Sequence, residues 1–126
     1  MSCGIIRQEI IRQLKRTGKF GDKWAYILER SGYRCEYCGR DLLAPEAVGM
    51  LCIDHILPKT LRGSEDRDNL AIACVVCNKL KGKWDPRNNG ANTTRESRIA
   101  AAKVHINDER TKEEQHLRVI RKIVNY

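Results

Sequence analysis

The sequence lacks any apolar run of about 18 residues, the length a helix needs to cross a bilayer. It also lacks an apolar signal stretch near its start, so we expect a cytoplasmic protein with no membrane partner. In such a protein, six cysteines favour metal binding over disulfides. No βαβ pattern accompanies them, which disfavours a redox dithiol. At 126 residues, the chain has the usual length of one domain.

The charge is strongly uneven along the chain, which carries a formal net charge of +8. Residues 1–34 carry +5, residues 35–78 carry −3, and residues 79–126 carry +6. An acidic centre favours a bound cation, and basic flanks favour contact with a phosphate backbone. We therefore expect a nucleic-acid partner.

Four of the cysteines form two Cys-x-x-Cys pairs, Cys35 with Cys38 and Cys74 with Cys77. Zinc takes four ligands in a tetrahedron, and each pair lets two thiolates of one tight turn reach the same ion. Gly39 follows the first pair, where such a turn needs a positive φ. The spacing predicts a structural Zn²⁺ site, and the 35 residues between the pairs predict an inserted segment.

The inserted segment has the pattern strand, loop, strand, helix. Residues 50–56 are apolar and partly β-branched, and Pro58 then ends the predicted strand. Residues 59–68 are charged and contain glycine, which is typical of a loop. Residues 69–73 predict a second short strand, and residues 75–83 predict a helix.

The segment from the first cysteine pair to this helix resembles the HNH endonuclease family, in the zinc-knuckle branch of the ββα-metal nucleases. The resemblance rests on four stretches of sequence: Tyr33-Arg34-Cys35-Glu36-Tyr37-Cys38-Gly39, Ile53-Asp54-His55-Ile56-Leu57-Pro58, Asp68-Asn69-Leu70 and Cys74-Val75-Val76-Cys77-Asn78-Lys79-Leu80-Lys81-Gly82. It implies an α+β fold, with a small ββα-metal core at about 33–84. It also implies hydrolysis of phosphodiester bonds that leaves a 3′-hydroxyl and a 5′-phosphate, with double-stranded DNA as the first candidate partner.

The resemblance also implies a role for each motif residue. Asp54 and Asn78 would hold one divalent cation, and His55 would be the general base. Asn69 would brace the loop that orients this histidine. The position of Asn78 is often histidine in the family. Carboxylate and carboxamide oxygens are hard donors, so Mg²⁺ or Mn²⁺ is the expected catalytic ion.

Two other classes of protein fit part of the pattern. A catalytically inactive, zinc-stapled DNA-binding module would explain the cysteines and the charge, but not the four motif residues. A RING-like scaffold would need eight interleaved ligands, and only four are in place. A metal-dependent endonuclease therefore explains most of the sequence.

Five basic residues lie near the motif and are candidates for contact with nucleic-acid phosphates. They are Lys59, Arg62, Lys79, Lys81 and Lys83. Solvated surface charge is the ordinary role of such residues. Their closeness in sequence to the predicted metal ligands makes phosphate contact an equal alternative.

The flanks at 5–31 and 94–124 predict helices that complete a single domain. The first flank is interrupted at 18–21, and Asp22 is a candidate N-cap for its second helix. The second flank predicts helices at 94–106 and 112–124, with breaks near Asn107-Asp108. Thr93-x-x-Glu96 and Thr111-x-x-Glu114 would form their capping boxes.

Each C-terminal helix carries an apolar stripe: Ile99, Ala102 and Ile106 on the first, and Leu117, Ile120 and Val124 on the second. These stripes either pack on the nuclease core or mediate a homodimer. The sequence leaves this choice open.

Overall fold

A computed structural model describes residues 3–19 and 21–126, with side chains described from Arg7 onward. The described part contains four α-helices and two strands, so the protein is α+β. In chain order these are α1 (Cys3–Arg16), α2 (Asp22–Arg30), β1 (Leu51–His55), β2 (Leu70–Cys74), α3 (Val75–Lys81) and α4 (Arg95–Ile123). Within these ranges, no helix combines the length and the apolar character needed to cross a membrane.

The two strands form an antiparallel hairpin whose register brings the motif together. Leu51 pairs with Cys74 at one end, and His55 pairs with Leu70 at the other. Beyond β1, the amide of Ile56 still donates to the Asn69 carbonyl at 2.8 Å. Because α3 follows β2 directly, the expected order of strand, loop, strand and helix is confirmed.

Cys74 joins β2 to α3. It is the last residue of the strand and the N-cap of the helix, and its Sγ accepts a hydrogen bond from the Cys77 amide at 3.3 Å. A side-chain acceptor at the N-cap satisfies one of the free amides of the first helical turn. The second cysteine pair thus also sets the start of α3.

The core lies around β2, all five residues of which are buried. Helix α2 packs against this strand and contributes Ile27 and Leu28, which are almost fully buried. Helix α4 contributes Ala102 and Ile106 from its N-terminal half. Burial of an isoleucine or leucine side chain stabilises a fold by roughly 1.5–3 kcal/mol. The stripe on residues 99–106 therefore belongs to the core.

Glu36 ties the first cysteine turn to the rest of this core. Its carboxylate accepts a hydrogen bond from the Ile72 amide and another from the Arg95 guanidinium, both at 2.7 Å. Its own amide donates to the Ile72 carbonyl at 2.9 Å. The turn is consequently fixed both to β2 and to the first residue of α4.

The break in the N-terminal flank is confirmed, but the predicted cap of α2 is wrong. Helix α1 ends at Arg16, and Gly21 is the N-cap of α2 with an extended backbone. Asp22 is already the first helical residue, and its carboxylate contacts the Lys15 ammonium at 2.6 Å. Phe20, which falls within the predicted break, lies outside the described residues.

The C-terminal flank is one helix of 29 residues, so the two predicted helices and both predicted capping boxes are wrong. Thr94 is the N-cap and forms a reciprocal capping box with Ser97. At the predicted break, the Thr111 hydroxyl donates to the Asn107 carbonyl at 3.0 Å, within the helix. Polar residues such as asparagine and aspartate cost a helix less than about 1 kcal/mol each. Without glycine or proline there, the helix continues.

Candidate active site and metal centre

The four predicted zinc ligands lie together. The Sγ atoms of Cys35, Cys38, Cys74 and Cys77 all lie within 4.8 Å of one another, and Cys38 and Cys74 are separated by 3.8 Å. A tetrahedron with Zn–S bonds of about 2.3 Å requires sulfur separations of about this size. The donor set and its spacing fit a structural zinc ion.

The thiols of this cluster differ in their pKa: that of Cys35 is lowered, whereas burial raises that of Cys38 and the hydrogen bond with Cys35 raises that of Cys77. Gly39 has a φ of +78°, as expected, and its amide donates to the Cys35 carbonyl at 2.8 Å. A hydrogen bond from Cys77 lowers the pKa of the Cys35 thiol to about 4. The Arg110 guanidinium, on α4, donates to Cys77 Sγ at 3.4 Å. A cation beside a coordinating sulfur stabilises its negative charge.

A shallow pocket of about 310 Å³ lies at the end of β1, and Asp54, His55 and Asn78 all line it. Successive residues of a strand point to opposite faces, but β1 ends at His55, where the pocket opens. Asn78 is on α3, one residue after the Cys77 ligand. The fold thus brings three of the four motif residues to one pocket.

Asp54 is the inward-facing member of this group. Its side chain is only 6% exposed, and its Oδ2 accepts a hydrogen bond from the Tyr37 hydroxyl at 2.5 Å. The Lys81 ammonium lies 3.2 Å from the same oxygen and 3.4 Å from Oδ1, and it also donates to the His55 carbonyl at 3.0 Å. Burial raises the pKa of the Asp54 carboxyl, and the Lys81 ammonium opposes this shift.

The donor chemistry of this pocket fits a hard divalent cation. An ionised carboxylate has about four lone-pair sites, and on Oδ1 of Asp54 the described partner is the long contact from Lys81. Asn78 is half-buried and supplies a carboxamide in the same pocket. One carboxylate, one amide oxygen and water form a ligand set of the kind that Mg²⁺ or Mn²⁺ takes.

His55 faces outward, with 20% of its side chain exposed. Its Nε2 lies 2.7 Å from Oε1 of Glu65, in the loop between the strands. Lys59 contacts the same carboxylate oxygen at 3.1 Å. The hydrogen bonds from His55 and Lys59 hold the pKa of Glu65 below its usual range.

Asn69 binds the loop rather than lining the pocket. Its Oδ1 accepts from the Leu57 amide at 2.8 Å, and its Nδ2 donates to the Leu57 carbonyl at 3.1 Å and to the Ser64 carbonyl at 2.9 Å. These three hydrogen bonds fasten the segment just after His55 to the far end of the same loop. Such contacts are expected of a side-chain amide that holds the loop after His55 in place.

The five predicted phosphate-contacting residues do not form one surface. Lys59 and Lys83 line the pocket with the motif residues. Lys79 lines a groove between α3 and α4, and Arg62 lines a cavity of about 550 Å³ behind the loop. Lys81 has no exposed side-chain surface, so it occupies the interior rather than the expected surface position. The larger cavity is not the candidate site, because neither histidine nor cysteine lines it.

Sequence reasoning gave no role to three residues that the structure places in or beside the site. The Tyr37 hydroxyl donates a hydrogen bond to Asp54, and the Glu65 carboxylate forms one with His55. The Arg110 guanidinium donates to Cys77, a predicted zinc ligand. Tyr37 lies between the cysteines of the first pair, and Glu65 follows His55 by 10 positions, but neither position by itself indicates the contact. Arg110 follows Cys77 by 33 positions, and nothing in the sequence links the two.

A comparison with known protein families identifies the same segment of the chain. Residues 35–83 match the family model described as HNH endonuclease. A comparison with curated proteins gave no match, and a comparison with solved structures gave none either. The matched range contains both cysteine pairs and all four motif residues.

Proposed function

From the HNH domain at residues 35–83, we propose that this protein is a metal-dependent endonuclease that hydrolyses phosphodiester bonds of DNA. The observation that carries the proposal is the shared pocket of Asp54, His55 and Asn78 at the end of β1. The pocket would provide a general base and two oxygen ligands for a metal ion beside each other, an arrangement that suits metal-assisted hydrolysis of a phosphodiester.

In this proposal His55 takes a proton from the attacking water. Neutral imidazole accepts a proton near neutral pH, and a positioned general base accelerates a reaction by roughly 10²–10⁴. Asp54 and Asn78 would hold a Mg²⁺ or Mn²⁺ ion, which would stabilise negative charge on the phosphate and the leaving oxygen. Asn69 would keep the loop after His55 in place.

Two lysines of the pocket are proposed to bind the DNA backbone. Lys59 and Lys83 are both exposed and both line the pocket, so a phosphate in the site would lie within reach of their ammonium groups. Lys79 and Arg62 are proposed as outer contacts because they line neighbouring surfaces. Lys81 is left out of this set, because its ammonium is buried against Asp54.

The experiment is a nicking assay on supercoiled plasmid with Mg²⁺, Mn²⁺ or Zn²⁺, and with a chelator. We expect metal-dependent cutting by the wild type and a loss of at least 10² in rate for His55→Ala. The matched control is His116→Ala, because His116 is exposed on α4 away from the pocket. An RNA duplex of the same sequence tests the preference for DNA.

A catalytically inactive zinc-stapled DNA-binding module is the second candidate. One observation favours it: Oδ2 of Asp54 is already occupied by the Tyr37 hydroxyl and the Lys81 ammonium. A module of this kind would bind the plasmid, with or without the metal, and leave it uncut. Equal binding by the wild type and His55→Ala with no cutting by either would establish it.

We further propose that the exposed end of α4 pairs with a second copy of the chain. Residues 111–126 are all exposed, and Leu117, Ile120 and Val124 form an apolar stripe along them. Acidic residues precede this stripe at 113–114, and basic residues lie at 121–122. An antiparallel partner would therefore place opposite charges together. Two linked sites could then cut both strands.

The oligomeric state tests this pairing. Sedimentation equilibrium over a wide concentration range should show a dimer for the wild type and a monomer for Ile120→Glu. Gln115→Glu, a matched change of charge off the stripe, should leave the dimer intact. A wild-type mass that stays monomeric at every concentration would contradict the pairing.

A further inference from the structure

Glu65 stands out among the acidic residues because it contacts the proposed base. A carboxylate only accepts hydrogen bonds, so the 2.7 Å contact between Oε1 and His55 Nε2 requires the proton to be on Nε2. Among the described residues, Nδ1 of His55 has no hydrogen-bond partner. The ring thus has one nitrogen engaged with the loop, and its other nitrogen has no partner in the described part of the chain.

The backbone of the loop is held so that Glu65 meets the imidazole. A Cβ on Gly63 would lie 1.6 Å from the Leu57 carbonyl oxygen, so the chain passes there with no space for a side chain. The Gly63 amide donates to the Pro58 carbonyl at 3.0 Å, and Asn69 holds Ser64. Both residues preceding Glu65 are therefore fixed against the segment that follows His55.

Helix α2 fixes the other side of the same residue. The Lys23 ammonium donates to the Glu65 carbonyl at 3.0 Å and lies 3.9 Å from Oε2. Lys59 contacts Oε1 at 3.1 Å. An isolated surface ion pair would leave a glutamate side chain free to rotate. Here two lysines from different segments contact the carboxylate that accepts the hydrogen bond from the imidazole.

We propose that Glu65 is a positioning residue for His55: it accepts the Nε2–H hydrogen bond and turns Nδ1 towards the pocket. This inference rests on the proposed function for its catalytic meaning, but the hydrogen bond itself can be tested without any activity. The close packing of the loop matters for this role, because a glutamate on a longer or looser loop could not hold the ring in one orientation.

The spectroscopic test uses protein labelled with ¹⁵N-histidine. We expect a downfield Nε2–H proton resonance for His55 in the wild type, assigned by its loss in His55→Ala. Glu65→Ala should raise the exchange rate of this proton at least tenfold or remove the signal. Glu65→Gln retains an acceptor oxygen and should restore part of the protection. Asp66→Asn is the matched control, because this neighbouring acid is exposed and does not contact the ring.

The kinetic test separates this proposal from the nuclease proposal. Glu65→Ala should lower kcat by roughly 10- to 100-fold with little change in KM, and Glu65→Gln should recover part of the loss. If the wild type shows no cutting but the protected proton is present and depends on Glu65, only the nuclease proposal fails. If the proton is unprotected in the wild type, or is unchanged in Glu65→Ala, the positioning role is overturned whatever the activity.

Discussion

The ammonium of Lys81 lies 3.2 Å from Oδ2 of Asp54, and neither side chain is more than 6% exposed. The pair joins α3 to β1, and its Asp54 also lines the candidate catalytic pocket. A buried charge is tolerated only when it is paired and hydrogen-bonded, and here Tyr37 and the His55 carbonyl complete the pairing. This relationship makes Lys81 part of the structural support of the site.

Removal of Lys81 should therefore destabilise the fold. In Lys81→Met the Asp54 carboxylate stays buried without its cation, and we expect the free energy of unfolding to fall by about 3–5 kcal/mol. Urea denaturation of the zinc-loaded protein measures this change. Asp54→Asn combined with Lys81→Met should recover part of the loss, because no unpaired charge remains. Equal stability of Lys81→Met and wild type would contradict the pairing.

Loss of one zinc ligand should prevent folding. Structural zinc contributes an apparent binding free energy of about 10–16 kcal/mol in small domains. Cys77 also lies at the start of α3, so its loss affects both the ion and the helix that carries Asn78. Circular dichroism and zinc content of Cys77→Ser are the measurements. Cys52→Ser, at a free thiol outside the cluster, should retain both. A normal spectrum for Cys77→Ser would exclude a zinc-dependent fold.

Arg110, on α4, should raise the affinity of the cysteine cluster for zinc. Its guanidinium donates to Cys77 Sγ at 3.4 Å, and partners that bond a metal ligand typically change affinity by about 10- to 100-fold. We expect a loss of about tenfold in zinc affinity for Arg110→Ala, measured by competition with a chromophoric chelator. Arg118→Ala, on the exposed part of the same helix, is the control. Identical affinities in both variants would leave Arg110 without this role.

Gly63→Ala should displace the loop that carries Glu65. The added Cβ would meet the Leu57 carbonyl at 1.6 Å, so the backbone has to move. We expect loss of the protected imidazole proton of His55 and a fall in cutting rate, with the zinc content unchanged. Gly21→Ala is the control, because Gly21 has a φ of −75° and open space around its Cβ position. A protected proton in Gly63→Ala would show that the loop tolerates the change.

Lys83 should contribute to the salt dependence of DNA binding. Each phosphate contact adds about 0.9 to the slope of log affinity against log salt on duplex DNA. In a His55→Ala background, which keeps the substrate intact, Lys83→Ala should reduce the slope by about one contact. Lys103→Ala removes an exposed lysine of α4 that does not line the pocket, and should leave the slope unchanged. Equal slopes for all three proteins would show that Lys83 does not contact a phosphate of the bound DNA.

Local signals predicted the ββα core well and the C-terminal flank poorly. Cysteine spacing, a strand-ending proline and short apolar runs are local signals, and residues 51–81 follow them closely. The break predicted at Asn107-Asp108 rested on weak propensities, which the packing of Ala102 and Ile106 outweighs. Capping motifs recur by chance, and only the reciprocal hydrogen bonds of Thr94 identify the real one.

The sequence by itself determined the four cysteines of the candidate zinc site, the order of the core elements and the identity of the motif residues, because each depends on residue type and short spacing. Only the tertiary structure decided which charges are buried and which acidic residue contacts His55. Lys81 and Lys83 are two positions apart, yet one is enclosed against Asp54 and the other lines the open pocket. Contacts between Glu65 and His55, or between Arg110 and Cys77, depend on how distant segments pack, and spacing along the chain does not encode that.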